Sequence, residues 1–243
     1  MKNKIYASLL GVCFAIALYS CSNNDTVKNE DLKKDSTAAD TTTASGTADA
    51  SFKPFDVMEV IHTVKDYATW RPLYDNDSAM RLSHGIHKIA IGRDADNPNK
   101  VLIAMQTDDV QKAKEFSASP ELKAVMDKAG VVSRPDVTWW HVVRYNPNSH
   151  EKQWVVVSHK VKDYDAWLKV YDSEGTAARL NDGMVDVVIA RGIQDPNMVH
   201  LVFDIKDMAK AKAAMMSDAK KKLMESAGVI GAPTMEFFNE ADQ

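Results

Sequence analysis

The spacing of large apolar residues changes period twice along this chain, in the same way each time. Val60, His62 and Val64 alternate with smaller or polar positions, and Met58–Val64 therefore reads as a β-strand with one buried face. After Asp66, the aromatic residues Tyr67, Trp70 and Tyr74 recur at i, i+3 and i+7, the stripe of an amphipathic helix. The switch repeats with strand Trp154–Val161, then Asp163, then Tyr164, Trp167 and Tyr171. Asp66 and Asp163 have the side chain expected of helix N-caps. Pro72 predicts a kink or a delayed start in the first helix, and Gly85 and Gly183 suit helix exits. "HKIAIGR" and "DVVIAR" predict second strands, "DNPN" and "DPN" turns, and "VLIAMQ" and "VHLVFD" third strands. "DDVQKAKEFSA" predicts a short helix. "SPELKAVMDKAG" predicts another, capped by Ser119, with Pro120 first and Gly130 at its exit, and "SDAKKKLMESAG" repeats it. "DVTWWHVV" and "TMEFFN" predict the last strands.

The recurrence is an internal duplication. Val60–Asp77 and Val157–Glu174 are identical at 9 of 18 positions, and Arg81–Pro135 and Arg179–Pro233 at 19 of 55. Each copy has the order βαββα(α)β, the ferredoxin-like arrangement, whose sheet carries helices on one face and leaves the other open. The expected fold class is α+β: two tandem ferredoxin-like units, residues 54–147 and 148–243, packed sheet to sheet as an intramolecular pseudo-dimer. Because each copy supplies the other's partner, the folded part is expected to be monomeric.

The "VKDYxxW" that follows strand one in both copies, and the "AGVxxxP" that precedes strand four, resemble the dimeric α+β barrel superfamily, which holds antibiotic-biosynthesis monooxygenase-like and stress-responsive barrel domains. The resemblance covers about residues 55–240. It implies a barrel closed from two units, with a ligand cavity between sheet and helices in each. Members include cofactor-free monooxygenases, haem-degrading enzymes, dismutating enzymes and proteins without known activity, so the resemblance implies a fold more than a reaction. No cofactor is expected, haem being the one that the resemblance leaves open.

Candidate chemistry concentrates in the repeated phrase. His62 and His159 share a strand face with apolar neighbours and so point into a core or cavity. Either is a candidate catalytic proton-transfer group, or else a core histidine hydrogen-bonded to tyrosine or backbone. Trp70, Tyr74, Trp167 and Tyr171 are candidate ligand-stacking walls or plain core. Arg81 and Arg179, at the end of helix one, would clamp an anionic group or cap helix carbonyls. Arg93 and Arg191 are expected at the surface or ion-paired, and Asn99 and Asn197 in turns. The His84/His87 spacing lacks a third ligand and is not repeated in the second copy, so no metal site is expected. The chain contains no phosphate-binding glycine loop, nucleophile elbow or paired-carboxylate motif. "KAKAAMMSDAKKKLM" reads as the solvated face of a helix backed by Ala and Met.

Composition and charge narrow the classes of partner, and the N-terminal segment resembles an export signal. The formal net charge is −4, which excludes the basic footprint of a nucleic-acid binder. Cys13 and Cys21 are the only cysteines, so the repeats contain no disulfide. Lys2 and Lys4, the short apolar run after them and "LYSC" resemble a bacterial lipoprotein signal over residues 1–20, with Cys21 lipidated. Residues 21–53, rich in Ser, Thr, Asp and Ala, read as a disordered tether with a reach of roughly 30 Å. The whole suggests a lipid-anchored envelope protein, on one side or the other of a bacterial membrane, binding a small apolar or aromatic molecule. The alternatives are a cofactor-independent monooxygenase or isomerase, and a non-enzymatic interaction module.

Overall fold

The computed structural model describes residues 52–241. The signal segment, Cys21 and all but the end of the tether lie outside the described residues. Strand β1 is Phe55–Thr63, followed by helices α1 (Tyr67–Asn76) and α2 (Ser78–Ser83), strands β2 (Ile86–Asp94) and β3 (Lys100–Thr107), helices α3 (Val110–Ser117) and α4 (Pro120–Lys128), and strand β4 (Asp136–Tyr145). The second copy runs β5 (Gln153–Val161), α5 (Tyr164–Glu174), α6 (Thr176–Asn181), β6 (Met184–Gly192), β7 (Met198–Ile205), α7 (Met208–Met215), α8 (Asp218–Ser226) and β8 (Val229–Glu240). Both copies form within one unit, Gly46–Gln243.

The expected duplicated α+β architecture is present, with two differences in detail. The single first helix is two helices, because the chain breaks at Asp77 in one copy and at Gly175, with φ +81°, in the other. Pro72 neither delays nor ends α1, which starts directly after its cap. That cap is Asp66, whose Oδ1 accepts from Thr69 N–H at 2.8 Å, and Asp163 does the same for Ala166 at 2.7 Å.

Strands in each copy are ordered β4-β1-β3-β2 and β8-β5-β7-β6, all antiparallel. The two sheets also join at their edges. β2 pairs β8 from Gly92↔Glu240 to Asp94↔Phe238, and β4 pairs β6 from Trp140↔Gly192 to Tyr145↔Val188, which closes an eight-stranded barrel with no free edge. Alternation along each strand then separates two environments. On β1, Met58 and Val60 face the helices and pack with Trp70 and Tyr74. Val57 faces the barrel interior with Trp140, Val142 and Ala190.

The interior is not symmetric. One side of it is apolar, with Leu102, Trp154, Val156 and Phe238 packed together beside Ile61. The residues that correspond to these across the duplication, apart from Trp154, are His200, Glu59, Trp140 and Ser158, and they form a polar group. Glu59 and His200 are 6% and 4% exposed. His200 Nε2 lies 3.3 Å from a Glu59 carboxylate oxygen, its Nδ1 lies 3.0 Å from Ser158 Oγ, and Trp140 stacks on its ring at 4.5 Å. Trp140 donates to Thr138 Oγ1 at 2.9 Å.

At the β2–β8 seam, Gly92 lies against the Trp154 ring and Phe238 so closely that a Cβ there would overlap the indole. The absent side chain is thus what lets the two sheets meet. Gly92→Ala is expected to cost about 1–3 kcal/mol, as overpacking does, read as a lower urea midpoint with an unchanged slope.

Candidate functional site

Each copy builds the same column of stacked side chains between sheet and helices. In the first, the His62 ring meets Trp70 at 5.7 Å, Trp70 stacks on Tyr74 at 4.9 Å, and the Arg81 guanidinium lies 3.6 Å above the Tyr74 ring. In the second, His159, Trp167, Tyr171 and Arg179 follow with spacings of 5.7, 5.1 and 3.9 Å. The strand supplies the histidine, the i, i+3, i+7 stripe supplies the aromatics, and the following short helix supplies the arginine. The eight candidate residues are therefore brought together as two sets of four, one per copy.

The sets differ in what surrounds them. The first lines a cavity of about 510 Å³ that also includes Met58, Met80, Phe116 and Ser117. In the second copy the space around the column is about 80 Å³, with a separate and more open hollow of about 480 Å³ beside it at Glu174, Lys220 and Leu223. Matching positions differ in both directions: Met215 stands for Ser117, Leu223 for Val125 and Met235 for Val137, while Val155 stands for Met58 and Ala214 for Phe116. The resemblance implied a cavity in each unit; the space around the second column is much the smaller.

The arginines also differ. Both reach back to a helix carbonyl, Arg81 Nη1 to Tyr74 O at 2.8 Å and Arg179 Nη1 to Tyr171 O at 2.9 Å, which is the capping role. Arg179 goes further. Its Nε and Nη2 grip Asp186 at 2.7 and 2.8 Å, and Nη1 also bonds Glu174 at 3.2 Å. Lys220 pairs with Glu174 as well and lies 3.5 Å from Asp182. These carboxylates hold the Arg179 guanidinium above its ordinary range despite burial. In the first copy the matching residues are Lys88, Asp77 and Leu122, and among the described residues Arg81 has no ion-pair partner. Burial dominates there and pulls its pKa down, opposed by the more distant Asp77 and Asp75.

His62 and His159 are 4% and 5% exposed, and neither ring nitrogen of either residue has a hydrogen-bond partner among the described residues. The tyrosine or backbone bond expected of a core histidine is not made. Burial alone pushes both imidazoles down to about 4, so they are neutral at physiological pH. All four nitrogens are buried, so neither imidazole presents a ring nitrogen at the cavity surface in this conformation.

Several expectations about neighbouring residues change. Arg93 and Arg191 are not ion-paired among the described residues. They stack over Tyr67 and Tyr164 at 4.2 and 3.8 Å and donate to Pro98 O and Pro196 O. Asn99 and Asn197 do more than turn the chain, since their Oδ1 atoms accept from Tyr67 N–H and Tyr164 N–H at the starts of α1 and α5. His84 bonds Met80 O and stacks on Phe116, while His87 pairs with Asp108, so the two histidines do not form a joint site. The aligned copies already contained the missed signals, the size differences at Ser117/Met215 and Val137/Met235 and the charge reversal at Lys88/Asp186.

Because the folded pKa of His62 and His159 lies below the ordinary 6.5, the unfolded chain takes up protons first as pH falls. Stability is then lost between pH 6.5 and 4, by about 1.4 kcal/mol per pH unit for each histidine. His159→Leu is expected to flatten the fall in urea-unfolding stability over that window by this amount relative to wild type.

No protein family and no curated protein matches the sequence. Among the crystal structures that share its fold are two at 12% and 13% identity. One is a candidate monooxygenase from Lactobacillus acidophilus, 12% identical, with a TM-score of 0.51 over 76% of this chain and 94% of that one. The other is an anthrone oxidase-like protein, 13% identical, with a TM-score of 0.53 over 77% of this chain and 91% of that one. Three quarters of the chain is more than one copy holds, so both matches run through the two halves. At such identities the likeness carries the fold alone: the chain has the dimeric α+β barrel architecture, with both halves in one polypeptide.

Proposed function

We propose that this protein binds one small, mainly apolar or aromatic molecule per chain, in the cavity of the first half, and that the second half serves as the structural partner that completes the barrel. The observation that carries this reading is the contrast between about 510 and 80 Å³ around the same column of side chains. A volume of the larger size suits a drug-sized ligand, and the Trp70–Tyr74 stack offers aromatic faces along its wall. Binding is favoured over turnover by the state of His62. A general base needs a nitrogen within reach of the substrate and usually a third group to orient it, and His62 offers neither. In this reading His62 and His159 are wall residues, and the monooxygenase or isomerase alternative would require the imidazole to turn.

The matching differences between the copies provide the test. The neutral fluorophore N-phenyl-1-naphthylamine is expected to bind saturably at one equivalent per chain. Ser117→Met combined with Val137→Met should abolish that binding without lowering the melting temperature, since it introduces into the cavity the larger side chains that the second half carries at these two positions. Met215→Ser combined with Met235→Val should add a second equivalent. Unchanged stoichiometry in both variants would refute the assignment.

The proposal includes attachment to a bacterial membrane through Cys21, supported by the "LYSC" sequence. Wild-type protein is expected in the membrane fraction and labelled by radioactive palmitate, and Cys21→Ser unlabelled.

A further inference from the structure

Resting on that reading, we infer that the ligand of the first-half cavity is an organic anion: an apolar or aromatic body bearing one carboxylate, sulfonate or phenolate group, which the Arg81 guanidinium receives. The inference comes from comparing one arginine in two settings. Arg179 is 3% exposed and its fork is filled by Asp186, through two parallel bonds, with Glu174 on the remaining side. Arg81 is 9% exposed and sits on an equivalent helix, over an equivalent tyrosine, bonded to an equivalent carbonyl. Its fork meets no carboxylate among the described residues.

The missing acceptor follows from one substitution. Asp186 lies on β6, directly before that strand's register shift opposite β7, and Lys88 holds the same place on β2 opposite β3. A cation thus stands where the second copy has its counter-ion. Glu174 corresponds to Asp77, one methylene shorter, which lines the cavity without forming an ion pair with Arg81. A guanidinium buried to this degree and lacking a charged partner is costly, and planar two-point binding of a carboxylate-like group is what its geometry matches. The other charges lining the cavity are Asp127, Lys123 and Arg134. Asp127 and Lys123 are exposed and pair with each other at 2.7 Å, which leaves Arg134, replaced by Ala232 in the second copy, as a second cation. The positive groups therefore outweigh Asp77. The stacked Trp70 and Tyr74 rings next to Arg81 suit the apolar body.

A matched pair of probes tests this with the full chain. 8-Anilino-1-naphthalenesulfonate is N-phenyl-1-naphthylamine with one sulfonate added, so the difference in their affinities isolates the charge. The wild type should bind the sulfonate at least about tenfold more tightly than the neutral compound. Arg81→Met should remove that preference, a loss of about 10–100-fold in sulfonate affinity, the range expected of charge-assisted hydrogen bonds. Since Arg81 also caps α1, Lys88→Asp provides a variant at an exposed position that keeps the arginine. It recreates the pairing of Arg179 with Asp186 and should expel the sulfonate, with the neutral probe bound as before. Equal binding of both probes, or a preference unaffected by Lys88→Asp, overturns the anion assignment and leaves the cavity reading standing. Absence of binding by either probe overturns both.

Discussion

The structure depends on covering the second face of a sheet. Each copy packs its helices against one side of four strands, and the other side carries Val57, Trp140 and Val142 in the first copy and Trp154, Val156 and Phe238 in the second. Exposing such surfaces to water would cost roughly 25 cal/mol for each Å² of apolar area. Turning the two faces toward each other removes this cost, and joining β2 to β8 and β4 to β6 then satisfies the edge hydrogen bonds as well. Every other feature follows from that closure. The helix-facing sides of the sheets are directed outward, and the two columns of His, Trp, Tyr and Arg lie on opposite flanks of the barrel wall, each able to change without disturbing the other.

That independence shows in the two flanks. The stacked column is nearly the same in both, so it belongs to the architecture. The differences lie around it, in the volume at Ser117 and Met215 and in the charge at Lys88 and Asp186. The second flank has a smaller space around its column and a closed ion network of Arg179, Asp186, Glu174 and Lys220. The first has kept the space and the uncompensated arginine. A duplicated fold can carry one open site because the other copy continues to supply the barrel half on which both depend.

Much of this was legible in the residues. The period change at Asp66 and Asp163 marks the strand–helix junctions, and the repeat itself implies a pair of ferredoxin-like units. The aromatic stripe placed Trp70 and Tyr74 beside His62. The division of the first helix was hidden, because Asp77 and Gly175 are compatible with either a continuing or a broken helix until packing decides. The barrel seams were hidden too. They pair strands far apart in the chain, and no local pattern encodes that register. The state of the cavities depends on the sum of several side-chain volumes, so no single motif announces it. Glu59 and His200 could have been noticed as charged or polar residues in the middle of apolar strands, but their meeting depends on barrel closure.

The pairing of Glu59 with His200 has a consequence for the history of the molecule. Glu59 comes from the first copy and His200 from the second, and the residues that replace them across the duplication are Val156 and Leu102. Two first copies brought together as a dimer would place Glu59 against Leu102 twice, each time burying a carboxylate whose remaining contact is the long one from Thr138 at 3.4 Å, which is costly. Two second copies would set His200 Nε2 beside Val156 and leave the ring only its bond with Ser158. Neither half is any longer its own complement. At this pair the two halves are complementary and not interchangeable, each supplying the member that the other lacks.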